Sequence, residues 1–250
     1  MDRTKQMATG LAGLVVLSLA MLACQDFGTS DPGTSDEQVL YRWDFDDPPT
    51  SLERGSLRIN EINWAGSVDD DGNYDPDDVF IELQNTHHRP VNLSGWRIYL
   101  DGDYKQSFRL PDIDEPLQPN DFFVIAAKED GAFGDVADVI EERLKLGKRA
   151  VRVELRDADR RLIEPAGSAT ERPFAGGYDL VTVRSMERAQ VLFQNIGSMD
   201  RSWNSNTDDV DGNDEARQGI REGWRENTLA SPGEPNSADY SGSSAGGGFE

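Results

Sequence analysis

The chain has 250 residues, 47 acidic against 25 basic side chains, a formal net charge of −22 and a single cysteine. A surface of that sign repels phosphate backbones, which are bound by clustered Lys and Arg, so nucleic acid is not expected as a partner and cations are favoured. One cysteine allows no internal disulfide, which leaves core packing, with or without metal, to stabilise the fold.

Met1 to Lys5 carries Arg3 and Lys5 against Asp2, and an apolar run from Met7 leads to Cys24. The run is shorter than the ~20 residues that cross a hydrocarbon core, and small residues end it, so residues 1–23 read as a cleaved export signal. In residues 24–55, Cys24 is followed by QDFGTSDPGTSDEQ, where Gly-Thr-Ser-Asp stands twice around a proline with scarcely anything to bury, and this predicts a flexible tether. Strand periodicity starts loosely at Val39–Phe45. It is clear at Leu57–Ile62, Val79–Leu83, Trp96–Leu100, Phe122–Ala126 and Val151–Leu155, and Tyr178–Val183 supplies a further strand. Val136–Leu146 has some helical character without a strong cap. Short strands separated by Gly, Pro, Asn and Asp clusters predict an all-β antiparallel sandwich over residues 57–236, and the Gly- and Ser-rich residues 237–250 predict a mobile tail.

Met21-Leu22-Ala23-Cys24 resembles the lipobox of bacterial lipoproteins, although Met21 stands where Leu is usual. The resemblance implies cleavage before Cys24 and its acylation, and thus a soluble domain held to a bilayer at the cell envelope, each buried methylene contributing about 0.8 kcal/mol.

From Leu57 onward the chain resembles the lamin-tail domain, an immunoglobulin-like module. The matching pieces are Ile59-Asn60-Glu61-Ile62, Asp78–Asn85, Val91–Trp96, Pro119–Ala127, Arg184–Arg188 and Ala230–Asn236, in the family's order. Asn120 occupies a turn position that is usually Gly. The resemblance implies an immunoglobulin-like sandwich with long loop insertions around Gly66–Asp77, Asp130–Gly147 and Asn204–Arg225. Read as residues alone, Trp96 after the Ser94-Gly95 turn is a core aromatic. Glu61 and Glu82, inside strands, form an imaginable acid and base, but such acids more often face solvent or accept backbone hydrogen bonds.

The richest chemistry lies in Asp69-Asp70-Asp71-Gly72-Asn73-Tyr74-Asp75-Pro76-Asp77-Asp78. Asp69, Asp71, Asp75 and Asp78 around a glycine turn resemble the calcium loops of thrombospondin type 3 repeats, since calcium takes 6–8 oxygens and alternating acids can supply several. The EF-hand pattern fails because Phe80 stands where Glu should. Asp209, Asp211 and Asp214 repeat the theme more weakly. His87-His88 has no third ligand and reads as a solvated turn. No Gly-x-Ser-x-Gly elbow or phosphate-binding motif is present, so no catalytic residue is assigned.

The expectation is a membrane-anchored, exported, non-catalytic binding or scaffolding module with calcium stiffening one or two loops and an unidentified protein or envelope partner. A metal-dependent hydrolase using clustered carboxylates, and a purely structural envelope lipoprotein, are the alternatives.

Overall fold

The computed structural model describes residues 54–189, 196–207 and 219–237. The chain divides into two units, Met1–Asp46 and Asp47–Glu250, and every described residue belongs to the second. The leader, Cys24, the strand expected at Val39–Phe45, the acids Asp209, Asp211 and Asp214, and the tail beyond Ser237 lie outside the described residues.

Fifteen strands occur among the described residues, and no α-helix. The first seven are β1 (Leu57–Asn63), β2 (Ser67–Val68), β3 (Tyr74–Asp75), β4 (Phe80–Asn85), β5 (Arg97–Gly102), β6 (Gln106–Arg109) and β7 (Phe122–Ala126). After a 3₁₀ turn at Gly134–Val136 come β8 (Val139–Ile140), β9 (Val151–Arg156), β10 (Leu162–Ser168), β11 (Gly177–Tyr178), β12 (Val183–Arg184) and β13 (Met186–Arg188). A second 3₁₀ turn, Asp200–Ser202, leads into β14 (Trp203–Ser205), and β15 (Thr228–Leu229) comes last.

A six-stranded sheet runs β14-β13-β1-β4-β7-β8 and a four-stranded sheet β10-β9-β5-β6, antiparallel except where β7 meets β8. They pack face to face: Ile59, Ile62, Ile81, Leu83 and Ile125 from the first meet Ile98, Val153 and Leu155 from the second in one buried core. This is the predicted immunoglobulin-like antiparallel sandwich. A small sheet, β11-β12-β15, and the hairpin β2-β3 flank it.

Local chemistry explains how the chain enters the core. Gly95 sits at φ 78°, a left-handed conformation that glycine adopts without strain, and the Trp96 amide closes the turn on the Leu93 carbonyl at 3.1 Å. Trp96 is thereby driven fully into the core. Asn120 stands at φ 70°, which is why its position favours glycine, and asparagine is among the few other residues that tolerate it. Arg188 ties the two sheets: it is buried, pairs with Glu164 of β10, and lies 5.0 Å from the Trp203 ring centroid.

Two expectations need correction. Val136–Leu146 is not a helix: Phe133 offers no side-chain cap, and the edge of β7 takes the backbone instead, through Asp138 N to Val124 O and Glu141 N to Ala126 O, both 2.9 Å. Tyr178–Val183 is not one strand but the hairpin β11–β12, because the Asp179 carboxylate accepts the Val181 and Thr182 amides and bends the chain. Strand β10, not foreseen, contains Pro165 and lies at a sheet edge, where a missing amide hydrogen is tolerated.

Candidate functional site

The sheet formed around β1 and β4 is buried on both faces, and the second face is where polar chemistry collects. A bulge in β1 between Ile59 and Glu61 lets Ile59 and Ile62 both enter the sandwich core, while Asn60 and Glu61 engage partners on the reverse side. Phe80, Val124 and Ala126 also face that side, where they pack with Phe133, Ile220 and Ala230. The cover is the segment 219–237.

Register places three glutamates side by side under this cover. Glu61 of β1 is opposite Glu82 of β4 and Glu187 of β13, and all three are at most 2% exposed. Like charges so placed destabilise a sheet unless protons or donors compensate. Donors are abundant. Glu82 accepts the Gly233 amide at 2.7 Å and the Asn60 amide group at 2.8 Å, and Asn60 also donates to Asn236 Oδ1 at 2.7 Å. Glu187 accepts from Asn206 Nδ2, the Ser237 amide and the Ser237 hydroxyl at 2.7, 3.1 and 2.5 Å. Glu61 Oε1 accepts the Ser231 amide at 3.0 Å. Burial, and then the neighbouring Glu187, push the Glu61 carboxyl up to about 8, and burial raises Glu82 well above its ordinary range. The glutamates thus fasten Ser231–Ser237 across the sheet. Asn236 completes the fastening by donating to the Arg188 carbonyl at 2.8 Å.

The acids of the Asp69–Asp78 loop do something different. Asp69 accepts the Asn73 amide and side chain at 2.7 and 2.8 Å, which holds its carboxyl below the usual range. Asp71 is exposed at the tip. Asp75 pairs with Lys128 at 2.5 Å and accepts the Asp77 amide. Asp78 is buried, accepts Ser67 Oγ at 2.6 Å and the Ala132 amide at 2.8 Å, and is raised by that burial. Gly131 packs so closely on it that a Cβ there would lie 2.2 Å from Asp78 Oδ1. Meanwhile the Lys148 ammonium donates to the carbonyls of Ala65 and Pro76 and to the Tyr74 hydroxyl Oη, at 2.9, 3.2 and 2.8 Å. Two lysines therefore supply positive charge inside this loop. The structure does not bring Asp69, Asp71, Asp75 and Asp78 together, and among the described residues no three or more His, Cys, Asp or Glu gather around a common point suited to a metal. The His87 and His88 rings touch in a tilted arrangement, centroids 4.2 Å apart and planes at 31°.

Open clefts lie elsewhere. One of about 880 Å³ runs between Lys128, Asp130, Glu142, Lys145 and Arg221, and one of about 730 Å³ between Arg172, Phe174, Met199 and Arg201. Neither reaches the three glutamates.

The strands that carry Glu61 and Glu82 sit in a recognisable frame. Residues 50–169 match the Lamin Tail Domain family model. No curated protein matches the chain. The lamin-tail match takes in β1 to β10, hence Glu61 and Glu82, whereas Glu187 and Ser231–Ser237 lie past its end. The motifs Ser185-Met186-Glu187-Arg188 and Ser231–Asn236 that extend the sequence resemblance are thus the ones the fold lays against the lamin-tail strands. Sequence reasoning singled out those motifs without their meeting point. The signal was a glutamate in each of three strand motifs and a Ser-Pro-Gly loop to accept them.

Proposed function

We propose that the chain is an exported, non-catalytic binding or scaffolding module, held at the cell envelope by lipid on Cys24. The observation that carries the non-catalytic reading is the occupancy of the buried acids: Glu61, Glu82 and Glu187 are each engaged by donors from the chain's own closing segment. A general acid or base must reach a substrate proton, and these carboxyls lie under covered backbone. An immunoglobulin-like frame of this kind presents loops and surface to a partner. The anchoring part of the proposal rests on the basic start, apolar run and Met21–Cys24 end of the leader.

Expression of the full chain in a bacterium with labelled fatty acid tests the anchor. The wild type is expected to carry label and partition into detergent, and Cys24→Ser to lose both. A variant that keeps both would overturn lipid attachment at Cys24.

A further inference from the structure

Ser231 stands between two of the three buried carboxyls. Ser231 Oγ lies 3.1 Å from Glu61 Oε2 and 2.7 Å from Glu187 Oε1. A hydroxyl carries one hydrogen and can donate to only one of them. The other contact is a hydrogen bond only if the carboxyl itself brings a hydrogen. Glu187 Oε1 already takes two N–H donors, from Asn206 and Ser237, and its Oε2 takes the Ser237 hydroxyl. That leaves Glu61 Oε2 as the atom that donates to Ser231, which donates onward to Glu187.

We infer that Glu61 holds a proton that it donates to Ser231, which in turn donates to Glu187, and that this proton latches the segment Ser231–Ser237 over the sheet, so that its loss releases the segment and uncovers a groove along β13, β1 and β4.

The groups facing the proton are Glu187 from β13, Glu82 from β4, the hydroxyls of Ser185 and Ser231, and the Ser231 amide. On the opposite side of β13, the Arg188 guanidinium is directed to Glu164 and the Ile59 carbonyl. With both carboxyls ionised, Ser231 could satisfy only one, and two charges would face each other in a covered site. In the released state Glu61 meets water and titrates near its ordinary 4.5, whereas latched it titrates near 8. The opening equilibrium therefore rises up to tenfold per pH unit between those values and levels off above them.

Amide hydrogen exchange on the full chain, expressed as protection factors across that window, reads the latch directly. The Ser231, Gly233 and Ser237 amides are expected to lose close to tenfold protection per pH unit, while amides of β9 hold theirs. In Glu61→Gln, which keeps one acceptor and one donor toward Ser231, the pH dependence of the segment's protection should shrink to what Glu82 contributes through the Gly233 amide. Flat protection in the wild type, an unchanged slope in E61Q, or loss in β9 parallel to the segment would each overturn the latch. Infrared spectroscopy reads the proton itself: a buried carboxylic-acid band is expected at neutral pH, and Glu61→Gln should lose the part of it that titrates near 8. Absence of that band at neutral pH also overturns it.

Discussion

The two faces of the six-stranded sheet solve burial in opposite ways. Toward the sandwich, Ile59, Ile62, Ile81 and Leu83 are covered by apolar side chains of a second sheet, and no partner has to be found atom by atom. On the reverse face, Glu61, Glu82 and Glu187 are covered by a loop that satisfies them one hydrogen bond at a time. Apolar burial is roughly proportional to area and tolerates small shifts. A polar face is specific: each donor has one acceptor, and a shift of one residue in the segment would unmake all the bonds together. The first face therefore gives the domain its stability, and the second decides where Ser231–Ser237 lies.

The largest break in that comparison is on the apolar face. Trp96→Ala removes the largest fully buried side chain and is expected to cost about 3–5 kcal/mol in urea unfolding, with the midpoint lowered for the whole domain. On the polar face, Glu187→Ala strips the acceptor from Asn206 Nδ2 and from the Ser237 amide and hydroxyl. Buried donors left unpaired cost about 1–3 kcal/mol each before relaxation, so a net loss of about 3 kcal/mol is expected. The distinguishing result is where it falls: proteolysis should cut near Ser237 in Glu187→Ala before the sandwich unfolds, and should not do so in Trp96→Ala. Simultaneous loss in both variants would mean the two faces act as one unit.

Proton linkage sharpens the same contrast. Glu61 is raised in the fold, to about 8 from 4.5, so between those values the folded chain keeps a proton the unfolded chain has lost. Its contribution is full below 4.5, declines by up to about 1.4 kcal/mol per pH unit, and is gone above about 8; Glu82, raised also, acts with the same sign. Asp69 and Asp179, held low by amide donors, act oppositely and weaken the fold only as the medium becomes more acid than their ordinary range. Urea midpoints should fall steadily from pH near 4.5 to near 8, and Glu61→Gln should remove much of that slope. An unchanged slope would assign it elsewhere.

Much of the sandwich was legible because its strands alternate. Trp96–Leu100 and Val151–Leu155 carry period-two burial in sequence and in structure alike, whereas Leu57–Ile62 alternates in sequence but is buried almost throughout, because its sheet is covered on both faces. The turns were legible where backbone chemistry is restrictive, as at Gly95 and Asn120. What escaped was set by distant partners. Strand β10 looks wrong for a strand until its edge position excuses Pro165, and Val136–Leu146 looks helical until the free edge of β7 captures its amides. The glutamate cluster escaped for the same reason: Glu61 and Ser231 are 170 residues apart, and no local pattern announces a bond between them.

The Asp69–Asp78 loop gives the smallest expected effect. Its sequence invites calcium, but Lys128 already neutralises Asp75, and Lys148 already draws the carbonyls of Ala65 and Pro76 toward one ammonium. Calcium would have to displace Lys128 and pull the Asp69 oxygens from Asn73 before gathering enough oxygen ligands. A ligand bound only to the native state at a hundredfold excess over Kd adds about 2.7 kcal/mol, which thermal unfolding resolves easily. The expectation is equal midpoints in calcium, magnesium and chelator, and the same for a variant with Asp71→Asn and Asp75→Asn apart from the loss of the Lys128 pair. A calcium-specific rise that this variant abolishes would show that the acids converge around an ion after all, with both lysines turned outward to let it in.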